Sequence, residues 1–449
     1  MPDATDPAEA LVRAARRFGT PVHVMSVAAL ADATRELEAA FPDPWLRAFS
    51  LKANDVPSVV ARLAAAGLDA NVVSSGEWAA ARAAGLPNGR ITLEGVGKSS
   101  ADLRAAVRAC AEGSPLRWVA VESREELDAL VAMAARAGLG ILGRSGSSGS
   151  SGIPALDVLL RLNPDVQPET HAGLAVGRGS SKFGMTETEL TAAVASLAPG
   201  GPVVARGVHL HVGSQLGAVD AWRDAVRRGL AVLALLRAGL PGFDTLDVGG
   251  GFPVGDPGTV PTPARFAAEL PDLLEAIPAD RRPARLAVEP GRFLVARAGW
   301  IVATVLHVRE RGDAERVVVV DAGMTELIRP MLYGAEHPVV ALTSLGMPAI
   351  GGEGLSTGGE APLADGRASP PGGDALSPVR LDGPVCESTD TFGRYLLPPL
   401  RRGDLVAIGE TGAYAASMAS TYNGRPAAPQ VLLEEDGALT LGRRRGTRP

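Results

Sequence analysis

Lysine is nearly missing from this chain. Of 44 basic residues among 449, three are lysine: Lys52, Lys98 and Lys182. A protein this sparing with lysine does not use it for general solubility, so each one invites a chemical reading. Cysteine is scarcer still. Cys110 and Cys386 cannot build a disulfide scaffold or a thiolate metal site. No excess of positive charge is present. The formal net charge is −6, which gives no basic field for nucleic acid or anionic membrane. Long apolar runs are also lacking; the stretch 230–236 is cut by arginine well short of a membrane span. Met1 to Arg17 has neither the charged start nor the apolar core of a signal peptide. The expectation is a soluble, cytoplasmic protein with no nucleic-acid or membrane partner and no metal.

What is present is ordinary globular material, 46% hydrophobic and 21% charged. The length exceeds one typical core, so two domains, or a barrel with an attachment, are expected. Short β-type runs at 47–51, 70–73, 91–93, 118–121, 157–162, 205–211, 245–248 and 285–288 alternate with Ala-rich helical runs. Those helical runs cover 56–66, 76–84, 100–111, 124–137, 187–198, 218–238 and 262–274. Eight strands with helices between them predict a parallel (β/α)8 TIM-type barrel. Beyond Trp300 helix periodicity fades, and β-branched runs at 300–309, 316–320, 338–342, 405–408 and 430–433 predict a C-terminal β-sandwich or barrel-like domain. The run 21–25 is strand-like and joins it. The expected domains are a barrel over 28–298 and a β domain from 1–27 and 299–449. A Ser/Gly linker at 144–152 and a mobile excursion over 345–378, its Gly/Pro/Ser/Ala-rich part at 351–378, carry no expected chemistry.

Several strings carry candidate chemistry. Lys52 ends a strand in Phe49-Ser50-Leu51-Lys52-Ala53-Asn54, where a barrel presents its active-site mouth. A partly desolvated amine there can form a Schiff base with an aldehyde; a surface lysine at a strand end is the plainer reading. His209 and His211 fall on one face by alternation and suit a metal, a stacked ring or a structural role. Gly249-Gly250-Gly251 exposes backbone N–H groups as a phosphate cradle does, or makes a tight turn. Glu289-Pro290-Gly291-Arg292 places a carboxylate near a fork-shaped cation: Glu289 suits a protonated ring nitrogen and Arg292 a phosphate or carboxylate, unless the two pair. Arg329 and Tyr333, Cys386 beside Glu387, and Tyr414 offer a carboxylate clamp, a thiol acid next to a carboxylate, and a phenol.

The order and spacing of these strings, with Ser181-Lys182-Phe183-Gly184 and the run 385–392, resembles the diaminopimelate decarboxylases, within the alanine-racemase-like, fold-type III class of pyridoxal-phosphate enzymes. The resemblance spans about residues 20–433. It implies a barrel plus a β domain, pyridoxal 5'-phosphate as cofactor, and decarboxylation of meso-2,6-diaminopimelate to L-lysine and CO2. It also implies roles. Lys52 would hold the cofactor covalently, His211 would stack on its ring, and Glu289 would keep the ring nitrogen protonated. Ser214 with the Gly249–Gly251 turn, Gly250 and Gly251 included, would hold the phosphate, Gly291 and Arg292 would also bind the cofactor, and Tyr414 would touch cofactor and substrate. Arg292, Arg329, Tyr333 and Glu387 would contact an amino-acid substrate, and Cys386 would be the proton donor. A homodimer with shared active sites follows, the Cys386 strand reaching the partner's site. Arg329 with Glu387 favours a substrate bearing a distal carboxylate and ammonium. A decarboxylase of another amino acid, ornithine- or lysine-like or carrier-tethered, is the alternative; a racemase or a catalytically silent cofactor-binding paralogue is weaker. Asn71 departs from the family, which commonly has aspartate there.

Overall fold

The computed structural model describes residues 7–140, 155–177, 179–311, 315–342 and 376–446. It divides into two compact units, one of 32–52 and 60–294, the other of 1–31, 53–59 and 295–449.

Strand β1 (Val22–Ser26) precedes eight strands that close into a parallel barrel in sequence order. These are β2 (Leu46–Ser50), β3 (Asp69–Val72), β4 (Ile91–Leu93), β5 (Trp118–Val121), β6 (Leu156–Arg161), β7 (Val203–His209), β8 (Thr245–Asp247) and β9 (Arg285–Val288). All eight expected barrel strands are present. Their runs of Val, Leu, Ile and Ala, without polar alternation, are what a parallel sheet buried on both faces requires. The crossover helices carry their own start signals. Ser99 and Asp102 make a reciprocal capping box, as do Thr186 and Glu189. Between β6 and β7 the register slips at Val158/Leu159, so Gly207 meets β8 where any Cβ would collide with the Thr245 carbonyl oxygen.

Two expectations within the barrel need correction. The strand expected over 205–211 ends at His209, because the chain leaves the ladder to reach the loops at the barrel mouth. The helix expected over 262–274 is two short ones, Pro263–Ala267 and Leu270–Glu275, since Pro271 lacks the N–H that a continuous helix needs and instead sits in the second helix's first turn. The linker at 144–152 lies outside the described residues.

The second unit holds β10 (Gly299–Arg311), β11 (Glu315–Val320), β12 (Val339–Ala341), β13 (Ser377–Asp382), β14 (Thr391–Leu397), β15 (Leu405–Ile408), β16 (Gln430–Leu433) and β17 (Leu439–Arg443). With β1 they form one mixed nine-stranded sheet, along β14-β13-β11-β10-β1-β16-β17, with β15 pairing β10 and β12. Alternation on β10 explains its two cores. Ile301, Ala303 and Val305 face one cluster with Val318, Leu381 and Ile408; Val302 faces another with Val24, Ala407 and Val431. The amphipathic helix Pro7–Phe18 belongs to the latter, through Leu11, Ala14 and Ala15. Strands β13, β14 and β17 went unrecognised in the sequence. The first of these corrects the expected excursion: Ser377 and Pro378 pair in register with Leu397 and Leu396, while residues 345–375 lie outside the described set.

One buried polar row crosses this sheet. His23 pairs Gln430, and Gln430 pairs Arg443. Burial first, and the Arg443 charge second, lower the His23 pKa from 6.5 to about 3. The unfolded chain therefore takes up a proton near pH 6.5 that the folded chain refuses until about pH 3. Stability falls as pH drops through that window, by up to roughly 5 kcal/mol for this one group. His23→Gln is expected to flatten the acid side of the stability-against-pH curve, as read by denaturant melts at pH 7 and pH 5. An unchanged slope would remove His23 from the account.

Candidate active site

In a parallel barrel the strands' C-terminal ends meet at one mouth, and this chain puts its unusual side chains there. Lys52 lies in the short turn Leu51–Ala53 that follows β2. Asn71 is within β3, and Glu94 directly follows β4. His209 ends β7, with His211 and Ser214 just beyond; Asp247 ends β8, ahead of the glycine triplet; Glu289 and Arg292 follow β9. Six strands thus contribute to one group of side chains.

The backbone fixes Glu289 from both sides. Its N–H donates to the Gly249 carbonyl at 2.9 Å, and its own carbonyl accepts from the Ser50 hydroxyl at 3.1 Å. The neighbouring Pro290 carbonyl accepts from the Ser50 N–H at 3.0 Å. The glycine triplet is wedged as tightly. A Cβ on Gly250 would strike the Glu289 carbonyl oxygen and one on Gly249 the Leu210 carbonyl oxygen, while Gly249 and Gly251 have φ of 69° and 106°. Only glycine meets both demands. The turn is braced by the Gly249 N–H donating to Asp247 Oδ1 at 2.9 Å and the Gly250 N–H donating to His211 Nδ1 at 3.3 Å. Arg292 donates from Nη2 to Ser214 Oγ at 3.0 Å, which brings a guanidinium, a hydroxyl and a glycine turn to one part of the mouth.

Behind them lies a buried polar cluster. Asn71 Nδ2 donates to Glu289 Oε1. His209 Nε2 lies 3.3 Å from Glu289 Oε2 and 3.1 Å from Glu94 Oε2. The sequence showed no third group near the histidine pair; the fold supplies two carboxylates. Burial, then the charge and hydrogen bond of Glu94, push the Glu289 carboxyl well above its usual range. Burial opposes ionisation of Glu94 too, but His209 and the hydrogen bonds from Glu289 and Asn71 hold it well below its usual range. Asp247 is raised, by burial and by both glutamates. Like charges this close share protons. His211 is held well below the usual imidazole range by burial, then by Lys52, Arg161 and His209.

The other two lysines have structural partners. Lys98 makes a 3.0 Å ion pair with Glu126 and donates to the Gly95 carbonyl. Lys182 lies over the Phe183 ring, which also covers Arg161 in its buried 2.6 Å pair with Glu122. Of the three, Lys52 is the one at the barrel mouth, where its charge acts on both Glu289 and His211.

This donor set suits a flat, anionic, nitrogen-containing cofactor. A family model for pyridoxal-dependent decarboxylases, pyridoxal binding domain, matches residues 27–296. The diaminopimelate decarboxylase of Deinococcus radiodurans is 35% identical over 94% of this chain and 92% of its own. The chain belongs to the diaminopimelate decarboxylases, within the pyridoxal-dependent decarboxylase family. The Aquifex aeolicus diaminopimelate decarboxylase is 32% identical over 96% of this chain and 90% of its own. The crystal structure of the Helicobacter pylori diaminopimelate decarboxylase complexed with L-lysine superposes with a TM-score of 0.80 at 27% identity, covering 97% and 96% of the two chains. The residues present fit pyridoxal phosphate part by part: a lysine amine for the aldehyde, a glycine turn with Ser214 and Arg292 for the phosphate, a buried carboxyl for the ring nitrogen.

Apart from Arg292 in the barrel unit, the expected substrate-facing residues lie in the second unit. Arg329 and Tyr333 bound a one-turn helix, both half-buried. Arg329 donates to His337 Nε2 at 3.3 Å, and His337 Nδ1 donates to the Gly409 carbonyl at 3.0 Å; these contacts fix the tautomer and hold the guanidinium. Tyr414 has a φ of 57°, and its N–H donates to the carbonyl of Ala53, the residue after Lys52, at 2.7 Å. Cys386 is not on a strand, as the family resemblance implied. It is exposed in the loop joining β13 to β14, with Glu387. Tyr422 donates its hydroxyl to Glu387 at 2.6 Å, and Asn423 Nδ2 lies 3.5 Å from Cys386 Sγ.

Sequence reasoning missed Tyr422, Asn423, His337 and the role of Asp390. Asp390 organises the thiol's loop: its carboxylate accepts the Val385 N–H at 2.7 Å and the Met324 N–H at 2.6 Å. Asp390→Ala strands those two donors at about 1–3 kcal/mol each. The variant is expected to lose about 2–6 kcal/mol in denaturant melts and to alkylate faster at Cys386. A melt within 0.5 kcal/mol of the parent would contradict this role for Asp390.

Proposed function

We propose that this protein decarboxylates meso-2,6-diaminopimelate to L-lysine and CO2, with pyridoxal 5'-phosphate bound at the barrel mouth. The observation that carries this reading is the full-length match to diaminopimelate decarboxylases, combined with Lys52, His211, Ser214 and Glu289 meeting at one end of the barrel. Bound cofactor supplies a protonated pyridine ring that delocalises the electron pair left at Cα when CO2 departs.

The side chains divide the remaining work. Lys52 offers the amine that holds the aldehyde. His211, kept uncharged by burial and nearby cations, would face the ring without repelling its positive charge. Ser214, Arg292 and the backbone of Gly250, Gly251 and Gly291 receive the phosphate, and Arg292 also contacts the substrate. Glu289 holds the proton at the ring nitrogen. Arg329 takes the distal carboxylate and Glu387 the distal ammonium; Tyr333 and Tyr414 orient the substrate. Cys386 delivers a proton to Cα. The active form is a homodimer in which the Cys386 loop serves the partner's site.

Incubated with cofactor and meso-diaminopimelate, the purified protein is expected to release CO2 and L-lysine in equal amounts. Release from ornithine or lysine alone would assign it another substrate, and no release from any of them would sink the reading. Lys52→Ala is expected to lose the visible absorbance of bound cofactor and at least about 1,000-fold in kcat/KM.

A further inference from the structure

The proposed function uses one carboxylate of the buried cluster and leaves Glu94, His209 and Asp247 without a task. Burying three carboxylates together is costly, and cost of this kind concentrates at sites where a proton's position matters. The geometry is specific. His209 Nε2 spans Glu94 and Glu289 at 3.1 and 3.3 Å, while its Nδ1 is buried with no hydrogen-bond partner. The imidazole therefore serves the two glutamates through a single nitrogen. Glu94 Oε1 is likewise buried and unpartnered, so this carboxylate spends its contacts on the cluster alone. Asn71 occupies the other oxygen of Glu289 with an uncharged amide. After burial, the Glu94 charge is the largest influence on Glu289, and Lys52 and the Asn71 amide oppose it.

We propose that Glu94 is a positioning residue that acts on Glu289, directly and through His209, to hold a proton at the cofactor's ring nitrogen. The proposal rests on the cofactor reading above. A protonated ring facing Glu289 gains from every negative charge nearby, and Glu94 adds a second one to that of Glu289. A carboxylate within about 4–6 Å shifts such an equilibrium by roughly 10–100-fold.

Glu94→Gln keeps the shape and removes the charge. Two measurements on full-length protein test it: steady-state decarboxylation, and equilibrium binding to apoprotein of pyridoxal phosphate and of its analogue with carbon in place of the ring nitrogen. We expect kcat to fall about 10–100-fold with KM changed less than about threefold. Cofactor affinity is expected to fall by about tenfold or more, while analogue affinity stays the same. Adding Asn71→Asp to Glu94→Gln returns a carboxylate to Glu289 and is expected to recover most of both losses; Glu94→Asp is expected to behave near the parent. Equal weakening of cofactor and analogue, or no recovery in the double variant, would make Glu94 merely structural and overturn the proposal. Parent protein that binds the cofactor and the analogue equally well would overturn it as well. Parent protein that binds neither would sink the underlying reading instead. If Glu94→Gln alone fails to fold, Glu94→Asp with the same two ligands decides: discrimination between cofactor and analogue must persist.

Discussion

Glu289 is the constraint around which the barrel mouth is arranged. A carboxyl group sealed from water must either keep its proton or find a cation, and here two other carboxylates, an imidazole and an amide surround it while the Lys52 charge opposes the acids. Such an arrangement persists only where the backbone gives it no freedom. The Ser50 N–H and hydroxyl on one side, and the Gly249 carbonyl on the other, fix residues 289 and 290. The glycine triplet is glycine because the Leu210, Glu289 and Gly213 carbonyls leave no room for a side chain. The phosphate-type turn and the buried proton holder are thus one piece of construction.

The parallel barrel was legible because its strands are short apolar runs separated by long periodic helices, a pattern with few other solutions. The second unit was less so. Strand β14, Thr391–Leu397, carries a glycine and an arginine in its middle, and β17 is short and largely exposed, so neither shows a clean apolar run. Strand β13 begins inside a Pro- and Gly-rich stretch that reads as loop. The split helix near Pro271 shows that composition alone hides a break that one missing N–H imposes.

The site was legible to the extent that its members sit in distinctive strings. Lys52, His211, Ser214, Glu289 and Arg292 do, and the fold gathers them. Glu94 and Asp247 do not: each is a single acid at a strand's end, and only barrel closure shows that β4 and β8 bring them to His209 on β7 and Glu289 after β9. His337, Asp390 and Tyr422 act by holding Arg329, the thiol's loop and Glu387, contacts that run between segments remote in sequence. The scarcity of lysine proved informative in a limited way. Lys98 and Lys182 are held by Glu126 and Phe183, and Lys52 is the lysine whose charge acts on Glu289.

The protonation state of the cofactor's ring nitrogen is the quantity on which this account turns. Reconstitution with cofactor carrying nitrogen-15 in the ring, followed by solid-state NMR near neutral pH, reads it directly. The account predicts the chemical shift of a protonated pyridine nitrogen in the parent protein, and loss of that signal in Glu289→Gln. The shift of an unprotonated ring in the parent would contradict it.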